Sequence, residues 1–117
     1  YSELFSIFDW AEIPALKSSS GESSYHLYPL RIKNISEKQR DKIIAGIFDR
    51  NVSVNVHFIP LPMMSFYKKL GYKIKNYPTA YSNFSGEISL PVFYDLTDGQ
   101  METVVNAVIK SVEEVIG

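Results

Sequence analysis

The chain contains no cysteine, which removes disulfide frameworks and thiolate metal sites at once and points to a reducing, cytoplasmic setting. It has only two histidines, with no carboxylate-rich cluster beside either, so no zinc site is expected. No apolar run approaches the roughly 20 residues of a membrane span, and no charged-then-apolar signal segment opens the chain. Charge of one sign is missing too. Twelve basic against thirteen acidic side chains leave a formal charge of -1, so no global field draws the molecule to nucleic acid or anionic lipid. What is present is a hydrophobic fraction of 45% with 14% aromatics in 117 residues. That suits one packed domain burying roughly two thirds of its unfolded surface.

Residues 51 to 62, Asn-Val-Ser-Val-Asn-Val-His-Phe-Ile-Pro-Leu-Pro, carry the most information. Val52, Val54, Val56 and Phe58 alternate with Ser53, Asn55 and His57, a period of two that predicts a strand with four apolar groups on one face and three polar ones on the other. Pro60 and Pro62 stop the strand and stiffen its exit. His57 is thereby delivered into a rigid loop, and it reads either as a cleft residue or as a strand-end histidine bonded to a loop carbonyl. Asn55 lines the same cleft or faces water.

Elsewhere the pattern alternates helix and strand. Residues 1 to 24 read as a truncated helix with Leu4, Phe5 and Phe8 at helical spacing, then a polar, flexible lead-in from Lys17 to Ser24. The abrupt opening without methionine suggests a piece of a larger protein. Tyr25 to Ile32 reads as a strand whose Pro29 argues for an edge position or a bulge. On it His26 shares a face with Tyr28, Leu30 and Ile32, the pattern of a core or interface histidine.

Ser36 and Gln39 form a capping box that starts a helix with Ile43, Ile44, Ile47 and Phe48 inward, and Asn51 is a left-handed terminator. Pro62 and Gly71 bracket a short helix with Met63, Phe66, Tyr67 and Leu70 inward. A further short helix, residues 78 to 85, with Tyr81 and Phe84 inward, precedes a strand over residues 87 to 90. Thr97 and Gln100 cap the last helix, where Met101, Val104, Val105, Val108, Ile109, Val112, Val115 and Ile116 recur at helical spacing. The expected architecture is α/β, a small sheet of about three strands with helices packed mainly on one face.

The succession Tyr25-His-Leu-Tyr-Pro-Leu-Arg-Ile32, Arg40-Asp41, Val56-His-Phe-Ile-Pro-Leu61, Tyr67, Leu70-Gly-Tyr72, Ser89-Leu-Pro-Val-Phe93 and Leu96-Thr97 resembles the C-terminal domain of DegT/DnrJ-type sugar aminotransferases. The resemblance implies that residues 25 to 117 are the C-terminal small domain of a fold-type I aminotransferase. It implies a missing N-terminal domain that holds pyridoxal 5'-phosphate on a lysine, and amino transfer from an amino acid to a nucleotide-linked keto sugar. A homodimer is expected for the intact enzyme. The separate fragment, with no catalytic residue of its own, is expected to be inactive and to bind no cofactor. Its part would be a cleft wall, with His57, Tyr67, Asn55 and His26 as candidate substrate contacts. The family often continues the Val-His-Tyr-Ile-Pro-Leu pattern with a second histidine; Pro62 stands there instead, which shifts attention to Tyr67. The competing class is a non-enzymatic α/β ligand-binding or regulatory module.

Overall fold

The computed structural model describes residues 1–117. Along the chain run α1 (Ser2–Phe5), β1 (Ala11–Glu12), β2 (Lys17–Ser18), β3 (Gly21–Glu22), β4 (Tyr28–Ile32), α2 (Glu37–Asp49), α3 (Ser65–Lys69), α4 (Pro78–Ser85), β5 (Glu87–Leu90) and α5 (Asp98–Ile116). A three-stranded antiparallel sheet has the order β1-β4-β5, and β2 pairs with β3 as a separate hairpin. The mixed α/β class stands as expected. No helix is long and apolar enough to cross a membrane.

Both predicted capping boxes form. Ser36 and Thr97 each accept from the third helical amide, while Gln39 and Gln100 reach back to the cap amide. Asn51 takes a left-handed φ of 59° and ends α2. The helix α4 and the strand β5 occupy the predicted residues. On α5, Val104, Val105, Val108 and Val112 are buried and Ile116 keeps 36% of its surface exposed. Ser111 and Ala107 join the core instead. They do so because α5 crosses α2 closely: a Cβ on Gly46 would stand 2.9 Å from the Ser111 hydroxyl.

The sheet's two faces differ in chemistry. Register pairs Tyr28 with Leu90 and Leu30 with Ile88, and these side chains pack with Ile43, Ile47 and the valines of α5 in one hydrophobic core. The alternate pairs, Pro29 with Ser89 and Arg31 with Glu87, face the other way. That polar face lies beside α4 and residues 57 to 60.

Several expectations are corrected. Residues 52 to 58 do not form a strand. The segment is extended and makes a single bridge, Asn55 to Ser89, because the next amide, that of His57, is taken by the Glu87 carboxylate rather than by a ladder carbonyl. The alternation holds through Val56 and then fails, since Phe58 is 73% exposed. The third strand is Ala11–Glu12, ahead of the expected lead-in and in a stretch where no strand was expected, and Phe5 is fully buried in the core. The expected flexible loop closes as the β2-β3 hairpin.

Strand β4 is central, not an edge. Ile32 donates its N–H to Gly86 on the β5 side, and amides alternate sides along a strand, so the nitrogen of Pro29 faces the β1 side. There the two-residue β1 has already ended, and no donor is required. Phe48, Phe66, Leu70 and Tyr81, expected inward, are exposed.

Gly86 marks a close approach between the end of α4 and β4. A Cβ there would stand 2.6 Å from the Ile32 carbonyl oxygen. Gly86→Ala should therefore destabilise the protein by about 2 kcal/mol through overpacking, read as a lower urea midpoint at unchanged m-value. An unchanged midpoint would mean that the two backbones separate freely.

Candidate functional site

On the polar sheet face sits a cleft of about 420 Å³ lined by Arg31, His57, Phe58, Asn83, Phe84 and Glu87, with Pro60 and Ala80 at one side. Strand β4 supplies Arg31 and β5 supplies Glu87, directly opposite each other in register. Helix α4 supplies Asn83 and Phe84, and the extended segment before Pro60 supplies His57.

Glu87 is 5% exposed and has no cationic side chain in salt-bridge contact. A buried carboxylate is costly unless hydrogen-bonded. Here it accepts from the Ser89 hydroxyl and, at 3.0 Å, from the backbone N–H of His57. Glu87 thus ties the His57 segment to the sheet. Arg31 is held by Glu12 and by the Asn83 side-chain carbonyl. A guanidinium has five N–H donors, so capacity remains for a ligand oxygen.

Behind the cleft, Arg40 is 3% exposed. It donates to the carbonyls of Phe84 at 3.1 Å and Glu87 at 3.3 Å, and its guanidinium lies 4.8 Å from the centroid of the Phe84 ring. One buried side chain therefore joins the end of α4 to the start of β5. Those two elements carry Asn83 and Glu87 into the cleft.

The His57 ring is half-buried and packs edge-on against Phe58, with centroids 4.7 Å apart. Its Nδ1 is buried and has no hydrogen-bond partner in the chain. Buried polar atoms are normally paired; Nδ1 itself is closed to the cleft, and it is the half-buried ring that contributes to its wall. Imidazole, guanidinium, amide and carboxylate together can hydrogen-bond a polyol and attract an anion.

The other candidate residues do not gather here. Asn55 is exposed and its side-chain oxygen accepts from the next backbone amide, Val56 N–H, at 2.8 Å. His26 lies ahead of β4 and is exposed, with Nδ1 2.6 Å from the Ser24 hydroxyl, so it is not the core histidine its spacing suggested. Tyr67 lines a neighbouring apolar cavity with Tyr72 and Tyr77. Sequence reading missed Arg31, Asn83 and Glu87. The one available signal was Glu87 itself, a lone carboxylate in a short strand between Gly86 and Pro91.

No three metal-ligating side chains converge anywhere. None of the perturbed phenols lines the cleft: burial and then the nearby Tyr28 push Tyr1 up to about 12, burial raises Tyr28, and Tyr81, on α4 behind the cleft-lining Phe84, is raised by burial and by Glu37.

Comparison with known proteins places this geometry in context. The family model of the DegT/DnrJ/EryC1/StrS aminotransferase family matches residues 1–109. The chain is 39% identical over 117 residues to the uncharacterized protein MJ1066 of Methanocaldococcus jannaschii, covering 97% of this chain and 30% of that protein. It is 32% identical over 94 residues to the spore coat polysaccharide biosynthesis protein SpsC of Bacillus subtilis, covering 75% of this chain and 23% of SpsC. Spr1654 of Streptococcus pneumoniae, named as a sugar aminotransferase and solved in its PLP form, superposes with a TM-score of 0.94 at 33% identity. That likeness covers 100% of this chain and 30% of Spr1654. The chain thus spans under a third of the length of these relatives.

Proposed function

Because the chain belongs to the DegT/DnrJ/EryC1/StrS aminotransferase family, we propose that its cleft is one wall of an active site that moves an amino group from an amino acid to a nucleotide-linked keto sugar. The observation that carries this reading is the convergence of His57, Arg31, Asn83 and Glu87 on one cleft, with Arg31 held by Glu12 and Asn83 and the His57 backbone held by Glu87. His57 would bind a sugar hydroxyl or phosphate oxygen. Glu87 would hold the His57 backbone in place, and Arg31 would attract the anionic part of the substrate.

Pyridoxal phosphate, when bound, supplies the electron sink for such chemistry. The residues here do not fit its covalent anchor. All nine lysines are exposed and none lines the His57 cleft. On this reading the anchoring lysine lies in polypeptide outside these residues, and the chain by itself is inactive. The opposing domain would also cover Phe58 and Leu61, which are 73% and 54% exposed, within a homodimeric enzyme.

The test is an assay of the full-length protein with pyridoxal phosphate, glutamate and a panel of uridine- and thymidine-linked keto sugars. Formation of one amino sugar nucleotide, together with 2-oxoglutarate, is expected from the full-length protein and none from residues 1–117 alone. No amino sugar from any panel member, with no cofactor uptake, would return the chain to a non-enzymatic ligand-binding class.

A further inference from the structure

The short helix α3 has unlike sides. Tyr67 turns inward and lines the apolar cavity, whereas Phe66 and Leu70, four residues apart and so on one side of the helix, are 64% and 61% exposed. The helix ends in a glycine stop: Gly71, at a φ of 92°, donates its N–H to the Lys68 carbonyl at 3.0 Å, and Tyr72 donates to the Tyr67 carbonyl at 3.1 Å. Those two bonds fold the chain back, and a helical turn over Ile74–Asn76 follows at once. Lys68, Lys69, Lys73 and Lys75 therefore lie on one compact stretch with Phe66 and Leu70, and all four are exposed.

Their charge is not offset locally. No aspartate or glutamate occurs from Asn51 to Gly86, where these four are the only lysines or arginines, and none of them takes part in an ion pair. The elements packed against them belong to the same acid-free interval: residues 61 to 63 against α3, and α4 against the Ile74–Asn76 turn. Glu37, which α4 reaches through the Tyr81 hydroxyl, is also paired with Arg40. All other residues of the chain, taken together, are net negative, so positive charge is concentrated in this stretch.

We infer that this stretch rests on an anionic lipid surface, with Phe66 and Leu70 entering the headgroup layer and the four lysine ammoniums facing lipid phosphates. Apolar side chains edged by lysines suit an interfacial contact, in which burial of apolar area and attraction to anionic lipid add together. A protein partner fits less well, because lysine is depleted at protein interfaces and its ammonium is strongly hydrated. At a lipid surface the lysine stems lie along the apolar groups while the charged ends stay in water. No helix is long and apolar enough to cross a membrane, so the contact lies on the surface. It uses none of the cleft residues and is independent of the amino-transfer reading.

Co-sedimentation of the full-length protein with vesicles tests this. Vesicles of phosphatidylglycerol and phosphatidylcholine in a one-to-two ratio should carry the protein down, and vesicles of phosphatidylcholine alone should not. Raising the salt from about 0.1 M to about 1 M, which shortens the screening length from about 10 Å to about 3 Å, should release it. Lys68→Gln with Lys69→Gln, and Lys73→Gln with Lys75→Gln, should each lower partitioning about twentyfold, since one lysine near an anionic surface contributes roughly a factor of five. Phe66→Ser with Leu70→Ser should lower it about tenfold or more. Thermal melts check that the variants are folded, and Phe66→Ala alone serves should the double serine variant fail to fold.

Sedimentation with neither vesicle, equal sedimentation with both, or wild-type partitioning in the lysine variants would overturn the inference. Loss on replacing the lysines but not Phe66 and Leu70 would overturn it too, by making the patch a site for soluble polyanions. Each of these results leaves the amino-transfer reading standing.

Discussion

Replacing His57 by alanine should lower kcat/KM for the keto sugar by tens of fold in the full-length protein, with the thermal midpoint hardly moved. The separation of the two effects follows from where the residue makes its bonds. Its structural link to the fold is the backbone N–H donated to Glu87, and alanine keeps that amide. Its ring, by contrast, makes no hydrogen bond in the chain and loses only an edge contact with the exposed Phe58. Tens of fold correspond to about 2 kcal/mol, the scale of one or two hydrogen bonds to a polar ligand. A rise in KM at constant kcat would assign His57 to substrate binding, and a fall in kcat with kcat/KM to the transition state. Unchanged kinetics with a lower midpoint would make the imidazole a structural group and remove the cleft wall from the proposal.

Arg40→Ala should have the largest effect on stability, about 3 kcal/mol or somewhat more. Removing one partner from a buried charged network typically costs about 3–5 kcal/mol, and Arg40 is 3% exposed. Its acidic neighbours are better solvated, Asp41 at 62% and Glu37 at 33% side-chain exposure. The cost therefore falls toward the lower end, since those carboxylates are not stranded. What is stranded is the pair of carbonyls on Phe84 and Glu87 and the face of the Phe84 ring. Urea unfolding of the wild type and the variant measures the difference. Because Arg40 fixes Glu87 from behind, and Glu87 fixes His57, the variant should lose activity along with stability. A loss below about 1 kcal/mol would mean that solvent replaces the guanidinium, contrary to its burial.

The two predictions differ in how far the residues themselves announced them. His57 stood out because alternation and prolines act over neighbouring residues, and a loop made stiff by Pro60 and Pro62 is a local property. Nothing local distinguished Arg40 from the other charges on α2. It is buried because α4 and β5, more than forty residues on, present two carbonyls and a ring to it. Arg31, Asn83 and Glu87 were missed for the same reason, since a cleft formed by β4, α4 and β5 has no sequence spacing of its own. Tyr67 was found as a candidate and Tyr72 stood in the same stretch beyond Gly71, but Tyr77 joined them only when α3 and α4 were placed around the same cavity.

By itself the amino-acid order determined the caps at Ser36 and Thr97, the left-handed stop at Asn51, the extents of α4 and β5, and the mixed α/β class. Each of these depends on hydrogen bonds or side-chain periods within a few residues. Tertiary structure decided which segment became the third strand, which side of β4 tolerated Pro29, and which polar groups met in front of His57. Those outcomes were settled by pairing between distant segments. A two-residue strand at Ala11–Glu12 gains its place from β4, whereas the more strand-like residues 52 to 58 lose theirs when Glu87 captures the His57 amide.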